Sequence, residues 1–154
     1  MFKPLAVSIL AAGLNLAALS TAQAQGPGDG QGAGVATRTP VTFAADVFFD
    51  VDKSELKPAA RQKLDLLVDQ LKGVDVQTIY VIGHTDSKAS ASYNERLSAA
   101  RSQAVQRYLI DKGLDAQRVQ ITGRGKAQPA ADNRTREGRS HNRRVEIEAI
   151  GMRR

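Results

Sequence analysis

The chain has 154 residues, no cysteine and a formal net charge of +6, from 22 Lys and Arg against 16 Asp and Glu. That length holds one ordinary domain with little left over, and the lack of cysteine excludes a disulfide scaffold, a zinc–cysteine site, a thiol nucleophile and a lipid-modified N-terminal cysteine. Apolar residues at 42% suit a packed domain rather than a disordered chain. The charge is uneven: residues 1–117 carry 12 basic and 12 acidic groups, whereas residues 118–154 carry 10 and 4.

Met1-Phe2-Lys3-Pro4 opens the chain with a positive charge, and Leu5 to Leu19 is uncharged and mostly apolar. Thr21-Ala22-Gln23-Ala24 then supplies small residues in an A-x-A pattern. This is the layout of a secretory signal peptide over residues 1–24, cleaved after Ala24. The apolar run falls short of the roughly 20 residues that span a bilayer as a helix. No later segment is apolar enough to do so, which predicts a periplasmic chain without a membrane-spanning segment after residue 24.

Residues 25–40 are glycine-rich and lack a hydrophobic period, so they read as a flexible tether. Residues 41–151 read as the domain, and 152–154 as a basic tail. Thr42 to Phe49 is apolar and predicts a strand. Pro58 fits the first turn of a helix carrying Leu64, Leu67, Val68 and Leu71, with Gly73 at its C-terminal end. Val76 to Ile82 predicts a buried strand. Ser92 and Glu95 form an S-x-x-E capping box, so a second helix is expected to start there and run to about Asp111, with Gly113 ending it. Gln117 to Thr122 predicts a strand broken by Gly123-Arg124-Gly125. Ala127 to Ser140 reads as loop plus a short helix. Asn142 to Ile150 alternates apolar Val145, Ile147 and Ala149 with Arg144, Glu146 and Glu148, a strand with one wet face. The order argues for an α/β (α+β) sandwich: a mixed four-stranded sheet with helices on one face.

On a helical wheel at about 100° per residue, the helix after Ser92 has an apolar stripe of Leu97, Ala100, Ala104, Val105 and Tyr108. Arg101 falls inside that stripe, roughly 40° from Leu97, whereas Arg96 and Arg107 lie on the flank. A guanidinium keeps its proton, so on a core-facing stripe it needs an acidic partner or an anionic ligand. Asp86, in the loop before the helix, is the partner in reach. The pair reads either as a structural ion pair or as two walls of a cleft for a zwitterion. In the second case Asp86 holds the ammonium and Arg101 the carboxylate, with Thr85 and Asn94 beside them.

Gly83-His84-Thr85-Asp86, Tyr93-Asn94-Glu95-Arg96-Leu97-Ser98 and Arg101 resemble the OmpA-like C-terminal domain family. Phe49-Asp50-Val51-Asp52 with Leu56, Gly123-Arg124-Gly125 with Pro129, Asn133, Gly138-Arg139 and Asn142-Arg143-Arg144-Val145-Glu146-Ile147 extend the likeness over about residues 42–150. The resemblance implies a non-enzymatic module of Gram-negative envelopes that binds peptidoglycan, holding the free end of diaminopimelate in the peptide stem. It assigns the grip to Asp86 and Arg101, with support from Thr85, Asn94, Leu97 and Arg143 and from the backbone near Phe49 and Asp50. An envelope protein partner is a further expectation; a cofactor or a metal is not. Two positions depart from the family pattern. Ala89 stands where glycine is usual, which strains the loop if that position needs a positive φ. Lys126 stands where glutamate is frequent and reads as a surface change.

Three rivals remain. A hydrolase would need Asp86 and Asp50 as an acid/base pair, and a metal site would have only His84, His141 and Asp86 to draw on. His84 reads more simply as hydrogen-bonded within its turn. Nucleic-acid binding would use Arg134, Arg136, Arg139, Arg143, Arg144, Arg153 and Arg154, but no aromatic residue follows Tyr108 to stack on bases. The third rival is an envelope protein–protein interaction module that has lost wall binding.

Overall fold

The computed structural model describes residues 34–154; the signal-peptide reading and the first part of the tether lie outside them. In chain order the elements are β1 (Val35–Ala44), α1 (Ala45–Phe48), α2 (Pro58–Gln70), β2 (Val74–His84), α3 (Ala91–Asp111), a 3-10 turn (Ala116–Arg118), β3 (Val119–Gly125), α4 (Arg136–Asn142) and β4 (Arg144–Arg153). The four strands form one mixed sheet, as the sequence predicts, in the order β1-β4-β2-β3. β4 pairs antiparallel with both β1 and β2, and β2 pairs parallel with β3 across the α3 crossover.

The core lies on one face of the sheet. Ile79, Val81, Val145, Ile147 and Ala149 meet Leu64 and Leu67 from α2 and Val105 and Leu109 from α3, all buried. Pro58 opens α2, and Gly73 (φ +80°) and Gly113 (φ +104°) follow α2 and α3 in left-handed conformations that glycine adopts without a Cβ penalty.

Several boundaries differ from the sequence reading, each for a local reason. Residues 35–40, assigned to the tether, begin β1; they alternate exposed and half-buried along the sheet edge. Pro40 is tolerated there because an edge strand can do without its N–H. The strand predicted through Phe49 ends at Ala44, and Ala45–Phe48 makes one helical turn that buries Ala45 and Phe48 together. The cap of α3 is Ser90, whose Oγ accepts the Tyr93 amide at 3.2 Å, so the helix starts at Ala91 and Ser92 is not its cap. Gly123–Gly125 continues β3 rather than breaking it, and Met152 and Arg153 belong to β4 rather than to a tail.

The buried stripe of α3 also differs. It consists of Asn94, Ser98, Arg101, Ser102, Val105 and Leu109, while Leu97 is half-buried. A Cβ at Gly83 would meet the Ser98 carbonyl, and one at Gly123 would meet the Ala99 backbone. The two glycines thus let α3 lie directly on β2 and β3. So close an approach admits only small side chains from the helix, and serine adds a bond: Ser98 Oγ accepts the Gly125 amide at 2.9 Å, and Ser102 Oγ donates to the Thr122 carbonyl at 3.1 Å.

Register aligns the ends of the sheet. Val35, Arg153 and Val74 are partners at one end; Ala44, Arg144, His84 and Gly125 meet at the other. From this second end depart α1, the Thr85–Ser90 loop and Lys126, and into it runs Arg143.

Candidate functional site

α1 and the Asp50–Asp52 turn after it, the Thr85–Ser90 loop and Arg143 enclose a cleft of about 420 Å³ with the N-terminal half of α3. Its lining includes seven of the eight residues singled out from sequence: Asp50, Thr85, Asp86, Asn94, Leu97, Arg101 and Arg143. The eighth, Phe49, is buried beneath Arg101, whose guanidinium carbon stands 5.0 Å from the ring centroid.

Asp86 and Arg101 share this cleft but are not paired with each other, contrary to the simple ion-pair reading. Arg101 Nε donates to the Lys53 carbonyl at 2.9 Å and Nη2 to the Asp50 carbonyl at 3.2 Å. Its planar fork spans the two ends of the Asp50–Lys53 turn, which carries Asp52 at φ 59°. The Tyr93 hydroxyl donates to Asp52 Oδ1 at 2.9 Å and holds that turn from the other side. Burial pulls the Arg101 guanidinium below its ordinary pKa, against the nearby Asp46 and Asp52 carboxylates. Arg101 Nη1 makes no hydrogen bond among the described residues and remains available.

Asp86 is held by its own loop and by Arg143. The Lys88 amide donates to Oδ1 at 3.0 Å, and Arg143 Nη1 to Oδ2 at 2.8 Å. Burial alone would push the carboxyl up, but these two donors outweigh it and keep Asp86 below the usual carboxylate range. The group is therefore ionised at neutral pH.

The supporting residues act on backbone. Thr85 Oγ1 donates to the Asp86 carbonyl at 2.9 Å. Asn94 Nδ2 donates to the carbonyls of Asp86 and Ala89 at 3.3 and 3.2 Å. Lys126 is not a mere surface change: it is half-buried and its Nζ also donates to the Ala89 carbonyl, at 3.0 Å. Ala89 itself needs no positive φ, which among described non-glycine residues occurs only at Asp52. The Asp50 side chain points elsewhere, 3.7 Å from Lys57 Nζ.

His84 also departs from expectation. It is buried, and neither ring nitrogen makes a hydrogen bond; Nε2 lies 3.4 Å from Glu146 Oε2. Among the described residues no group of three or more His, Cys, Asp or Glu is placed to hold a metal, and no helix is long and apolar enough to cross a membrane.

A sequence profile of the OmpA family matches residues 48–143. The chain belongs to that family. Outer membrane protein A of Bordetella avium is 50% identical over 113 residues, covering 73% of this chain and 58% of that protein. The peptidoglycan-associated lipoprotein of Pseudomonas aeruginosa is 37% identical over 112 residues, covering 73% and 64%. The chain thus spans less than two thirds of the length of these relatives. Among solved structures, the cell wall anchor of the T6SS from Pseudomonas aeruginosa superposes with a TM-score of 0.66 at 34% identity, covering 74% of this chain and 82% of that one.

Within this OmpA-family domain, sequence reasoning missed Asp46, Asp52, Lys88 and Tyr93 as cleft residues. Asp46 was hidden by the strand reading of Thr42–Phe49. As the only charge in that run it was the available signal, because a helical turn that buries Ala45 and Phe48 must turn Asp46 away from the core.

Proposed function

We propose that this OmpA-family domain is a non-enzymatic anchor that binds peptidoglycan reversibly through the diaminopimelate end of the stem peptide. The observation that carries the reading is an ionised Asp86 and an Arg101 with free N–H groups in one cleft. Such a pair accepts an ammonium and a carboxylate at once. The names of the relatives, a peptidoglycan-associated lipoprotein and a cell wall anchor, support the same ligand. A secreted, periplasmic location follows from it, with the wall as one partner and an envelope protein as a second.

The electrostatics disfavour the hydrolase rival. A general acid for glycan hydrolysis needs a raised pKa; Asp86 is shifted the other way. Four of the ten basic groups of residues 118–154 are paired with carboxylates inside the domain. Arg118 pairs with Asp75, Arg134 with Asp132, Arg143 with Asp46 and Asp86, and Arg144 with Glu146. The pairing takes Arg134, Arg143 and Arg144 out of the basic set that nucleic-acid binding would draw on.

The test is co-sedimentation of the purified protein with protein-free sacculi, beside Asp86→Ala and Arg101→Ala, with free diaminopimelate as competitor. Wild type should pellet and be displaced by the competitor, with no soluble muropeptide released. Each variant should lose about 2–5 kcal/mol of binding, because the remaining cleft charge loses its counterpart. Arg101→Lys should rescue poorly, since an ammonium lacks the fork that spans the turn and the ligand. Wild type that stays in the supernatant, or either Ala variant that pellets normally, contradicts the assignment.

A further inference from the structure

Asp46 lines the cleft, yet it lies two residues before the span the family profile matches. Arg143 grips it with a fork: Nε to Oδ1 at 2.9 Å and Nη2 to Oδ2 at 2.9 Å. The remaining nitrogen, Nη1, is the one that reaches Asp86. The backbone fixes the same juxtaposition, since the Ala45 amide donates to the Arg143 carbonyl at 2.9 Å. A guanidinium can offer one edge as a two-bond fork to one carboxylate. Asp46 takes the Nε–Nη2 edge in two bonds, and Asp86 receives a single bond from Nη1. Asp86 is thereby oriented by Arg143 without being neutralised by it.

Charge balance points the same way. The lining sets Asp46, Asp50, Asp52 and Asp86 against Lys88, Arg101 and Arg143, so the cleft is matched to a ligand carrying both signs. Take Asp46 away and Arg101 and Arg143 both lose a neighbouring carboxylate, which makes the site more tolerant of plain anions. The fork of Arg143 is then free to turn onto Asp86.

We propose that Asp46 is a positioning and selectivity residue. By holding the fork of Arg143 it keeps Asp86 negative toward the bound ligand, and so makes the cleft demand an ammonium beside the carboxylate. The inference rests on the zwitterion reading above and adds a residue that acts through another.

The experiment compares the full protein with Asp46→Asn and Asp46→Glu in NMR titrations with two probes. One is diaminopimelate; the other is pimelate, the same seven-carbon diacid without its amines. Wild type should prefer diaminopimelate, and Asp46→Asn should lose about tenfold of that preference. Asp46→Glu, which keeps the charge one methylene further out, should retain most of it. A second readout needs no ligand: the Asp86 carboxyl, followed by carbon-13 NMR, should titrate lower in Asp46→Asn as Arg143 turns to it. Melting curves establish that each variant is folded, and if Asn does not fold, Asp46→Ser takes its place as the variant without the charge. An unchanged preference and an unchanged Asp86 titration in Asp46→Asn overturn the role of Asp46 and leave the zwitterion reading standing. Equal loss in Asn and Glu also overturns it, because charge is then not the agent. Wild type without a preference overturns the zwitterion reading, and this inference with it.

Discussion

The two halves of α3 are equally buried and differently built. Toward its C-terminus Val105 and Leu109 are 0% exposed and pack among Leu64, Leu67 and Val119. Toward its N-terminus Ser98 and Ser102 are also 0% exposed, Asn94 3% and Arg101 6%. The first half gains from area removed from water, which has no direction. The second half is fixed by hydrogen bonds to named carbonyls and amides, which do have direction. A binding cleft needs the second kind of contact, because it must hold charged groups at set angles rather than merely out of water.

That contrast can be broken by substitution. Leu109→Ala should cost about 2–5 kcal/mol of stability, as a buried leucine replaced by a cavity does. The melting temperature should drop while the wall affinity of the folded fraction stays the same; an affinity change would mean that the halves are not separate. Gly83→Ala should cost about 1–3 kcal/mol, because the Ser98 carbonyl it meets is backbone and cannot swing aside. This variant should impair both stability and binding, since it lifts the polar half of α3 off the sheet. Ser90→Ala should cost about 1 kcal/mol of stability as a lost helix cap, with Ser92→Ala within about 0.5 kcal/mol of wild type. Urea melts of the two serine variants distinguish the cap seen in the structure from the S-x-x-E box.

The smallest expected effect lies outside α3. Glu146 is pulled to about 2 by the adjacent His84 imidazole and by Arg144, whose Nε donates to it at 2.8 Å. A folded-state pKa below the ordinary 4.5 means a contribution that is present above that value and lost as pH falls toward 2. Glu146→Gln should therefore flatten the acid limb of the stability curve in that interval, measured by urea unfolding at stepped pH. An unaltered limb would show that this half-exposed group is screened by solvent.

The fold was legible wherever periodicity was strong: α2 from Pro58 with its leucines, and β4 from the alternation at Val145, Ile147 and Ala149. Arg101 was legible because a permanent charge on an apolar stripe demands an explanation. What escaped were features set by tertiary contact. Ser98 and Ser102 look like solvent-facing residues until two glycines on the neighbouring strands bring the sheet against them. Thr37 and Thr39 carry too little apolar character to announce an edge strand. Of the two readings of Asp86 and Arg101, the structural ion pair fails for a related reason. Wheel and spacing could place Arg101 near Asp86, but not the Asp50–Lys53 turn whose carbonyls take its fork, nor Arg143 arriving from the far end of the chain.

The register of the sheet has a mechanical consequence. The chain enters β1 at Val35, at the end of the sheet opposite the cleft, and β1 then runs ten residues against β4 to reach it. A pull on the segment before Val35, resisted by a ligand seated in the cleft, would act along β1. The ladder with β4 would be loaded lengthwise, so its inter-strand bonds would share the force instead of opening one after another. That is the geometry of a lap joint rather than a zipper, and it suits the anchoring role proposed above.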